Sequence, residues 1–397
     1  MRKTYKFRLY PNKEQTRIIE RTLETCRILY NGLLAERRDS YRKTERSPSY
    51  HEQKRSLVER KRNNPYMRQV HSQVLQDLTL RLERAFAGFF ERTRKGEKAG
   101  YPRFKARNRY DSFTYPQYGN GVMLKDGRLT LSKIGVIRIF QHRPIPSNAS
   151  IKTCTICRDA DKLYACFNME LNDAISQDHH ELRVGIDVGL KSLVVLSNGE
   201  KIEAPKFLRK SEKKLKREQR RLSRKRKSSQ NRRKQAITFT RIHRKIKLQR
   251  ADFNHKLSRM LVNRFDVIGF ENLRIPSMMK NHRLAKSIAD AGWGQLRVFT
   301  SYKAEEAGKT VEVVDPYGTT SDCSTCGFHV SKALSERTHK CPNCGLTLDR
   351  DWNAARNVLK RVGWGTAEFT PAETGPLLQQ PVVVKQAGSR KQEAHEL

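Results

Sequence analysis

Apolar and charged residues alternate from the start of the chain. Tyr5, Phe7 and Leu9 fall on one face, with Lys6 and Arg8 on the other, a period of two that predicts a strand ending at Pro11-Asn12. Ile19, Leu23, Cys26, Tyr30 and Leu33 then recur at spacings of four, three, four and three, which predicts a helix. A second helical block follows Asn64-Pro65, with Val74, Leu78, Leu82, Phe86 and Phe89 as its inner face. Gly96 to Lys105 mixes basic and aromatic residues in a turn-rich stretch. From about Phe113 to Leu171 the pattern returns to strands: Leu129 and Leu131, Val136 to Phe140, Ile151 to Cys157, and Tyr164 to Met169. Pro144 and Pro146 separate two of them. Asn172 to His180 is polar and acid-tinged, and the main domain boundary is expected there.

Beyond it the order of elements changes. Val184 to Asp187 predicts one strand, Leu193 to Leu196 a second, and Ser197-Asn198-Gly199-Glu200 a tight turn into a third around Ile202. A long basic helical stretch follows. Strand Val267 to Phe270, helix Ala285 to Glu306, strand Val311 to Val314 and a final helix from about Asp351 complete the pattern. Three antiparallel strands followed by alternating helix and strand is the order of an RNase H-like sheet.

Charge narrows the function. The chain has 397 residues, 81 Lys plus Arg against 41 Asp plus Glu, and a net charge of +40. Its length exceeds one ordinary domain of ~100–200 residues. No apolar run approaches the ~18 residues of a membrane span, and the charged start offers no hydrophobic stretch for a secretory signal. So strong an excess implies a polyanionic partner, of which nucleic acid is the commonest.

The excess is concentrated. Lys206 to Arg250 holds 21 Lys and Arg against Glu212 and Glu218, a local charge of +19. Leu208, Leu215 and Leu222 are seven apart, and Ile242 and Ile246 follow at helical spacing, so a narrow apolar seam backs a wide cationic face. Ser228 to Asn231 is expected to break the run into a hairpin that binds phosphates. Lys213, Lys214, Arg217, Arg220, Arg221, Arg224, Lys225, Arg232 and Arg233 are its candidate contacts, and Tyr101 and Arg103 add candidates from the earlier turn-rich stretch. Phosphate contacts give affinity that falls with salt and read no bases.

Two clusters suggest metals. Cys323-Ser324-Thr325-Cys326 and Cys341-Pro342-Asn343-Cys344 are paired knuckles, each followed by glycine, the pattern of a closed structural Zn²⁺ site. Cys154 and Cys157 share the spacing but lie in an alternating strand with only Cys166 nearby, and are expected to be core or surface thiols. Asp187 and Glu271 each close an apolar strand, while Asp349 and Asp351 stand at the mouth of the last helix. Like charges buried side by side need a shared cation. An Asp, Glu, Asp cluster on two Mg²⁺ ions ~3.5–4 Å apart is suited to phosphodiester hydrolysis.

Together these stretches resemble the TnpB family, RNA-guided nucleases of insertion sequences related to type V CRISPR effectors. The resemblance runs from Tyr5-Lys6-Phe7-Arg8-Leu9-Tyr10-Pro11 through Asn357. It includes Gly100 to Lys105, Gly185 to Gly189, Gly269 to Leu273, Asp290 to Gly294, both knuckles and Asp349 to Asn357. It implies a multidomain α/β and α+β chain: an RNase H-like (RuvC-type) nuclease domain with an inserted zinc ribbon, preceded by a helical recognition module and a small β-barrel wedge domain. The corresponding bounds are 1–12 and 113–171 for the wedge, 13–112 for the helical module and 172–181 for a linker. The nuclease domain takes 182–322 and 345–362, the ribbon 323–344 and a disordered tail 363–397.

The resemblance also implies catalytic acids Asp187, Glu271 and Asp351, the last because the family's third acid precedes the x-Asn-Ala-Ala run; Asp349 is left either as a helix cap or as a group supporting the metal ligands from behind. It implies a guide RNA, double-stranded target DNA recognised beside a short motif, and a monomer in the prokaryotic cytoplasm near the nucleoid. Tyr101, Phe104 and Tyr115 would be positioned to stack bases or to pack in a core. Asp322 departs from the family, which often has Gln before the first knuckle. Two other classes remain open, a nucleic-acid-binding regulator that does not cut and a strand-transferring transposase.

Overall fold

The computed structural model describes residues 2–107, 109–171, 182–333 and 336–362. The expected linker 172–181 and the expected disordered tail 363–397 therefore lie outside the described residues. Those described fall into two compact units, 2–171 and 182–362.

The first unit opens with β1 (Arg2–Tyr10), whose alternation buries Tyr5, Phe7 and Leu9. Helix α1 (Lys13–Thr44) starts at a reciprocal cap in which Asn12 accepts from the Gln15 backbone and Gln15 from the Asn12 backbone. α2 (Tyr50–Asn63), α3 (Pro65–Arg68) and α4 (Ser72–Arg94) follow. α2 was not visible in the apolar pattern because it buries only Gln53 and Leu57. Its signal is the Ser49-x-x-Glu52 capping box.

The remaining strands are β2 (Ser112–Tyr115), β3 (Val122–Lys125), β4 (Arg128–Leu131), β5 (Gly135–Phe140), β6 (Ala149–Asp159) and β7 (Lys162–Leu171). With β1 they form an antiparallel sheet of order β2-β6-β7-β1-β5-β4-β3. It curls far enough that the Tyr115 hydroxyl, on one edge strand, donates to the Ser132 carbonyl just past β4 (3.1 Å). The inner face and helices α1 and α4 share one continuous core, from Phe7 and Phe167 to Leu33 and Leu82.

The second unit contains a five-stranded sheet of order β10-β9-β8-β11-β12. Its members are β8 (Arg183–Val188), β9 (Ser192–Leu196), β10 (Lys201–Glu203), β11 (Val267–Glu271) and β12 (Thr310–Val314). β8, β9 and β10 pair antiparallel, whereas β11 pairs parallel to both β8 and β12. Between β10 and β11 run α5 (Phe207–Ser223) and α6 (Gln230–Arg264), and after β11 the short α7 (Ile275–Met278).

The single helix expected over Ala285 to Glu306 is two, α8 (Ala285–Ala291) and α9 (Trp293–Glu306). Gly292 breaks it with φ +68°, where α6 comes so close that a Cβ would stand 2.9 Å from Arg250 Cδ. Hairpin β13 (Thr338–Lys340) and β14 (Thr347–Asp349) leads into α10 (Arg350–Arg361). α10 lies across β8 and β11 on Ala354, Ala355 and Val358, all fully buried.

Candidate functional site

Two glycines let α10 sit directly on the sheet. Gly185 and Gly269 each stand two residues before an acid. A Cβ on Gly185 would fall inside contact distance of the Ala355 carbonyl and the Leu359 backbone nitrogen, and one on Gly269 would meet Val362 Cγ2 at 2.7 Å. The same helix is clamped at its start. Trp352 Nε1 donates to the Ser197 carbonyl (2.8 Å) in the turn before β10, Asn353 donates to the Asp322 carbonyl (2.8 Å) and accepts from Ser324 N (2.9 Å), and Asn357 donates to the Thr319 and Asp322 carbonyls. The Asp-Trp-Asn-Ala-Ala-Arg-Asn run is thus a set of fasteners that fixes where Asp351 stands.

Asp187 ends the apolar part of β8 and Glu271 ends β11, and only 7% and 9% of their surfaces are exposed. Phe270 pairs with Ile186 in the parallel ladder, so the two acids occupy the next level of neighbouring strands. Burial pushes the Asp187 carboxyl well above its ordinary range, and the negative charges of Glu271, Asp351 and Asp349 push the same way against Arg350. Burial also raises Glu271, opposed by a hydrogen bond from the Thr319 side chain and by Arg361. Glu271 Oε1 is buried and has no hydrogen-bond partner, a costly state for a carboxylate oxygen.

Asp351 lies in the first turn of α10 and is held by Arg350 (3.2 Å) and Arg337 (3.4 Å). Asp349 is the cap of α10, accepting from the backbones of Asp351 (3.0 Å) and Trp352 (3.3 Å), and pairs with Lys201 (2.8 Å). Despite partial burial, Lys201 and the cap bonds hold its carboxyl below the usual range.

The four knuckle cysteines converge. Their sulfurs all lie within 4.8 Å of one another, and among the described residues they are the one set of three or more His, Cys, Asp or Glu ligand atoms gathered that closely. The three acids do not meet that spacing. Both knuckles fold alike: Gly327 N donates to the Cys323 carbonyl (2.9 Å) and Gly345 N to the Cys341 carbonyl (3.0 Å), with both glycines at positive φ. A hydrogen bond from Asn343 and another from the Phe328 backbone bring the Cys326 thiol down to about 6. Asp322, just before the first knuckle, pairs with His329 (2.8 Å) and Arg361 (3.3 Å). Cys154, Cys157 and Cys166 are buried in the first unit, with Cys157 and Cys166 sulfurs 3.6 Å apart, and form no such set.

In the basic segment, α5 and α6 pack as a hairpin around Leu215, Ile242 and Ile246, with Phe207, Leu208 and Phe239 alongside. Its candidate contacts divide into two groups. Lys213, Lys214, Arg220, Arg224, Lys225 and Arg233 are exposed. Arg232 instead donates to the carbonyls of Leu222 (2.7 Å) and Lys225 (3.1 Å), bracing the turn. Buried Glu218 takes bonds from Gln235 (2.8 Å), Arg217 (3.1 Å) and Arg221 (3.1 Å), so these two arginines are partly committed within the hairpin.

Asp290, in the Asp-Ala-Gly-Trp-Gly run, caps α5 by accepting from Leu208 N (2.9 and 3.0 Å), a role its sequence context did not reveal. In the first unit Tyr101 is half-exposed and meets Phe86 and Phe89 edge-on, Phe104 lies exposed beneath Arg38, and Arg103 is exposed. Tyr115 is 1% exposed, so it is a core residue and no base can stack on it.

A family model described as "Probable transposase" matches residues 166–282, one described as "Cas12f1-like, TNB domain" matches 293–358, and a "Helix-turn-helix domain" matches 1–46. That last span folds here as β1 and the single long α1. A Streptomyces pristinaespiralis protein named "Putative RNA-guided DNA endonuclease" is 36% identical, over 90% of this chain and 89% of its own. The Escherichia coli K12 protein InsQ, of the same description, is 31% identical over 96% and 98%. Among solved structures, the Cas12f1 chain of a complex with single guide RNA and target DNA superposes with a TM-score of 0.56 at 14% identity, over 87% of this chain and 83% of its own. The mini-RNA-guided endonuclease Cas-phi3 gives 0.53 at 8%, over 91% and 92%. At such identities the likeness is one of fold. No helix among the described residues is long and apolar enough to cross a membrane.

Proposed function

This chain belongs to the TnpB family, and from that membership we infer that it is an RNA-guided DNA endonuclease with a RuvC-type, Mg²⁺-dependent site at Asp187, Glu271 and Asp351. The observation that carries the reading is the pair of buried acids on neighbouring parallel strands, one with an orphaned oxygen. Two such carboxylates hold protons or share a cation. Their oxygens form the hard donor set that suits Mg²⁺, and Asp351 on α10 supplies a third. Bound metal would lower the pKa of an attacking water and neutralise charge developing on the phosphate.

The chain's own residues do the rest. Thr319 and Arg361 favour the charged form of Glu271, Arg337 and Arg350 hold Asp351, and the exposed cations of the α5–α6 hairpin offer the phosphate-binding surface. We assign the four knuckle cysteines to one structural Zn²⁺, since four thiolates fill its coordination and leave no open position. All three acids come from one chain, which suits a monomer. Specificity would reside in pairing between guide and target, with protein contacts reading a short adjacent motif.

The test is to purify the protein with the RNA it retains, sequence that RNA, and offer a duplex matching its variable end. The reading expects one discrete RNA and a double-strand cut that needs Mg²⁺. A mixture of cellular RNAs with no cut would favour a plain nucleic-acid binder, and end joining that survives RNase treatment would favour a transposase.

A further inference from the structure

The joint between α8 and α9, Ala289 to Trp293, is fastened to three other parts of the second unit. Helix α5 starts at Lys206, whose backbone is left-handed (φ +52°) and whose side chain makes no cap bond. The first N–H groups of α5 are taken instead by buried Asp290, whose carboxylate accepts from Leu208 N (2.9 and 3.0 Å) and Arg209 N (3.4 Å). A helix start capped by another element depends on where that element stands. Lys286, one turn earlier on α8, adds an ion pair to Glu212 of α5 (3.0 Å). Helix α6 grips the same joint: Arg250 donates to the Ala289 carbonyl, and fully buried Asn254 donates to the Gly292 carbonyl (3.4 Å). Both legs of the basic hairpin are thus tied to one short stretch.

The third fastening lies beside the acids. Buried Trp293 opens α9, and its Nε1 donates to the Gly189 carbonyl (3.3 Å), two residues beyond Asp187. Asp187 stands where the support of β8 changes. The β11 ladder ends with Ile186 opposite Phe270, and past that level the register continues on the β9 side, through Asp187–Val195 and Val188–Val194. The turn that follows is tight: a Cβ on Gly189 would stand 2.9 Å from the Ser192 carbonyl oxygen, and Gly189 N donates to the Leu193 carbonyl (3.2 Å). The Trp293 bond anchors this turn from outside and so fixes the angle at which the end of β8 leaves the sheet. A carboxylate that holds a catalytic metal must be placed to a fraction of an ångström, and an error of about 1 Å costs on the order of 100-fold in rate.

We propose that Asp290 and Trp293 are positioning residues of the nuclease site, through which the seating of the α5–α6 hairpin sets the stance of Asp187. Asp290 fixes the hairpin and Trp293 fixes the turn, three residues apart. Close packing of Gly292 against Arg250 gives the joint little room to absorb a movement between them. The inference rests on the reading of Asp187 as a metal ligand. A joint that only held the fold would lose stability when cut, with no selective effect on the metal or on kcat.

The experiment uses the full chain with its retained RNA and a matched duplex, and compares Asp290→Ala, Asp290→Asn, Trp293→Phe and the Asp290→Ala/Trp293→Phe pair, all well below their melting temperatures. Asp290→Ala should lower kcat about 10- to 100-fold, leave KM for the duplex within about twofold, and raise the Mg²⁺ concentration that gives half the maximal rate. Asp290→Asn keeps an oxygen for Leu208 N and should restore most of kcat. Because both residues act through one joint, the double variant should lose no more than the larger single loss. Wild-type kcat in Asp290→Ala, a loss confined to KM, or single losses that multiply in the double variant would each overturn the proposal. A second readout needs no cutting: the Mg²⁺ midpoint for the rise in melting temperature, measured against Asp187→Asn as the baseline for Mg²⁺ bound elsewhere. A midpoint raised several-fold in Asp290→Ala supports the joint even where wild type cuts nothing, which contradicts the nuclease reading alone. Cutting by wild type, with kcat and midpoint unchanged in Asp290→Ala, leaves the nuclease reading standing and removes the joint.

Discussion

Asp187 and Glu271 end the parallel strands β8 and β11 at the same level of the ladder, one step past the Ile186–Phe270 pair. Among the described residues neither forms a salt bridge that would offset its burial, and one Glu271 oxygen has no hydrogen-bond partner. That arrangement has a consequence for stability. Both carboxyls are raised, so the folded state holds protons that the unfolded state releases above about pH 4. Stability of the metal-free protein therefore falls as pH rises from about 4 through the raised folded values. Mg²⁺ should raise the melting temperature more at pH 8 than at pH 5. Asp187→Asn should melt above wild type at pH 8 without metal, by about 2–4 °C for each kcal/mol of repulsion relieved, and should lose most of the Mg²⁺ response. Calorimetry with and without chelator checks this.

Gly185→Ala places a methyl group against the backbone of α10. Backbone cannot swing aside as a long side chain can, so the helix must lift, carrying Asp351 with it. A cost of about 1–3 kcal/mol is expected, together with a fall in cleavage larger than the stability loss alone explains. Chemical denaturation and a cleavage assay on the same preparation measure the two effects.

The ribbon should contain one Zn²⁺ per chain. Cys341→Ser should reduce zinc content to background and lower the melting temperature, since binding free energy at a structural site is folding free energy. Elemental analysis of the purified protein gives the first number and a thermal scan the second.

The hairpin cations should separate by partner. Replacing Lys213, Arg220 and Arg224 together by Ala should weaken DNA binding and reduce its salt slope by about 2–3, near one per lost phosphate contact. Arg232→Ala removes a brace on the turn between α5 and α6 and should instead lower thermal stability. Salt titrations beside melting curves distinguish the two.

Much of this site could be read from the chain because its signals are local. The acids follow short apolar runs, the cysteines keep fixed spacing, and the seam Leu208, Leu215, Ile242 and Ile246 recurs in the structure as the hairpin's own small core. What escaped depends on partners distant in sequence. Glu218 enters the sequence reading only as one of two acids in a basic run, yet in the structure Arg217, Arg221 and Gln235 share it. Asp290 caps a helix that begins over eighty residues earlier. Gly185 and Gly269 lie within the expected strands, but nothing near them in the sequence shows why glycine is needed there: α10 crosses directly above both. Tyr115, just after a basic stretch, was open to base stacking or to core packing. Its place on an edge strand that curls inward buries it.

The central claim is that Asp187, Glu271 and Asp351 together cut DNA selected by an RNA. Its most direct test is cleavage of a matched duplex by the RNA-loaded protein in Mg²⁺, alongside Asp187→Ala prepared with the same RNA. The account predicts that the variant binds the matched duplex as wild type does and cuts at least about a thousandfold more slowly. Cutting by Asp187→Ala at the wild-type rate would contradict it.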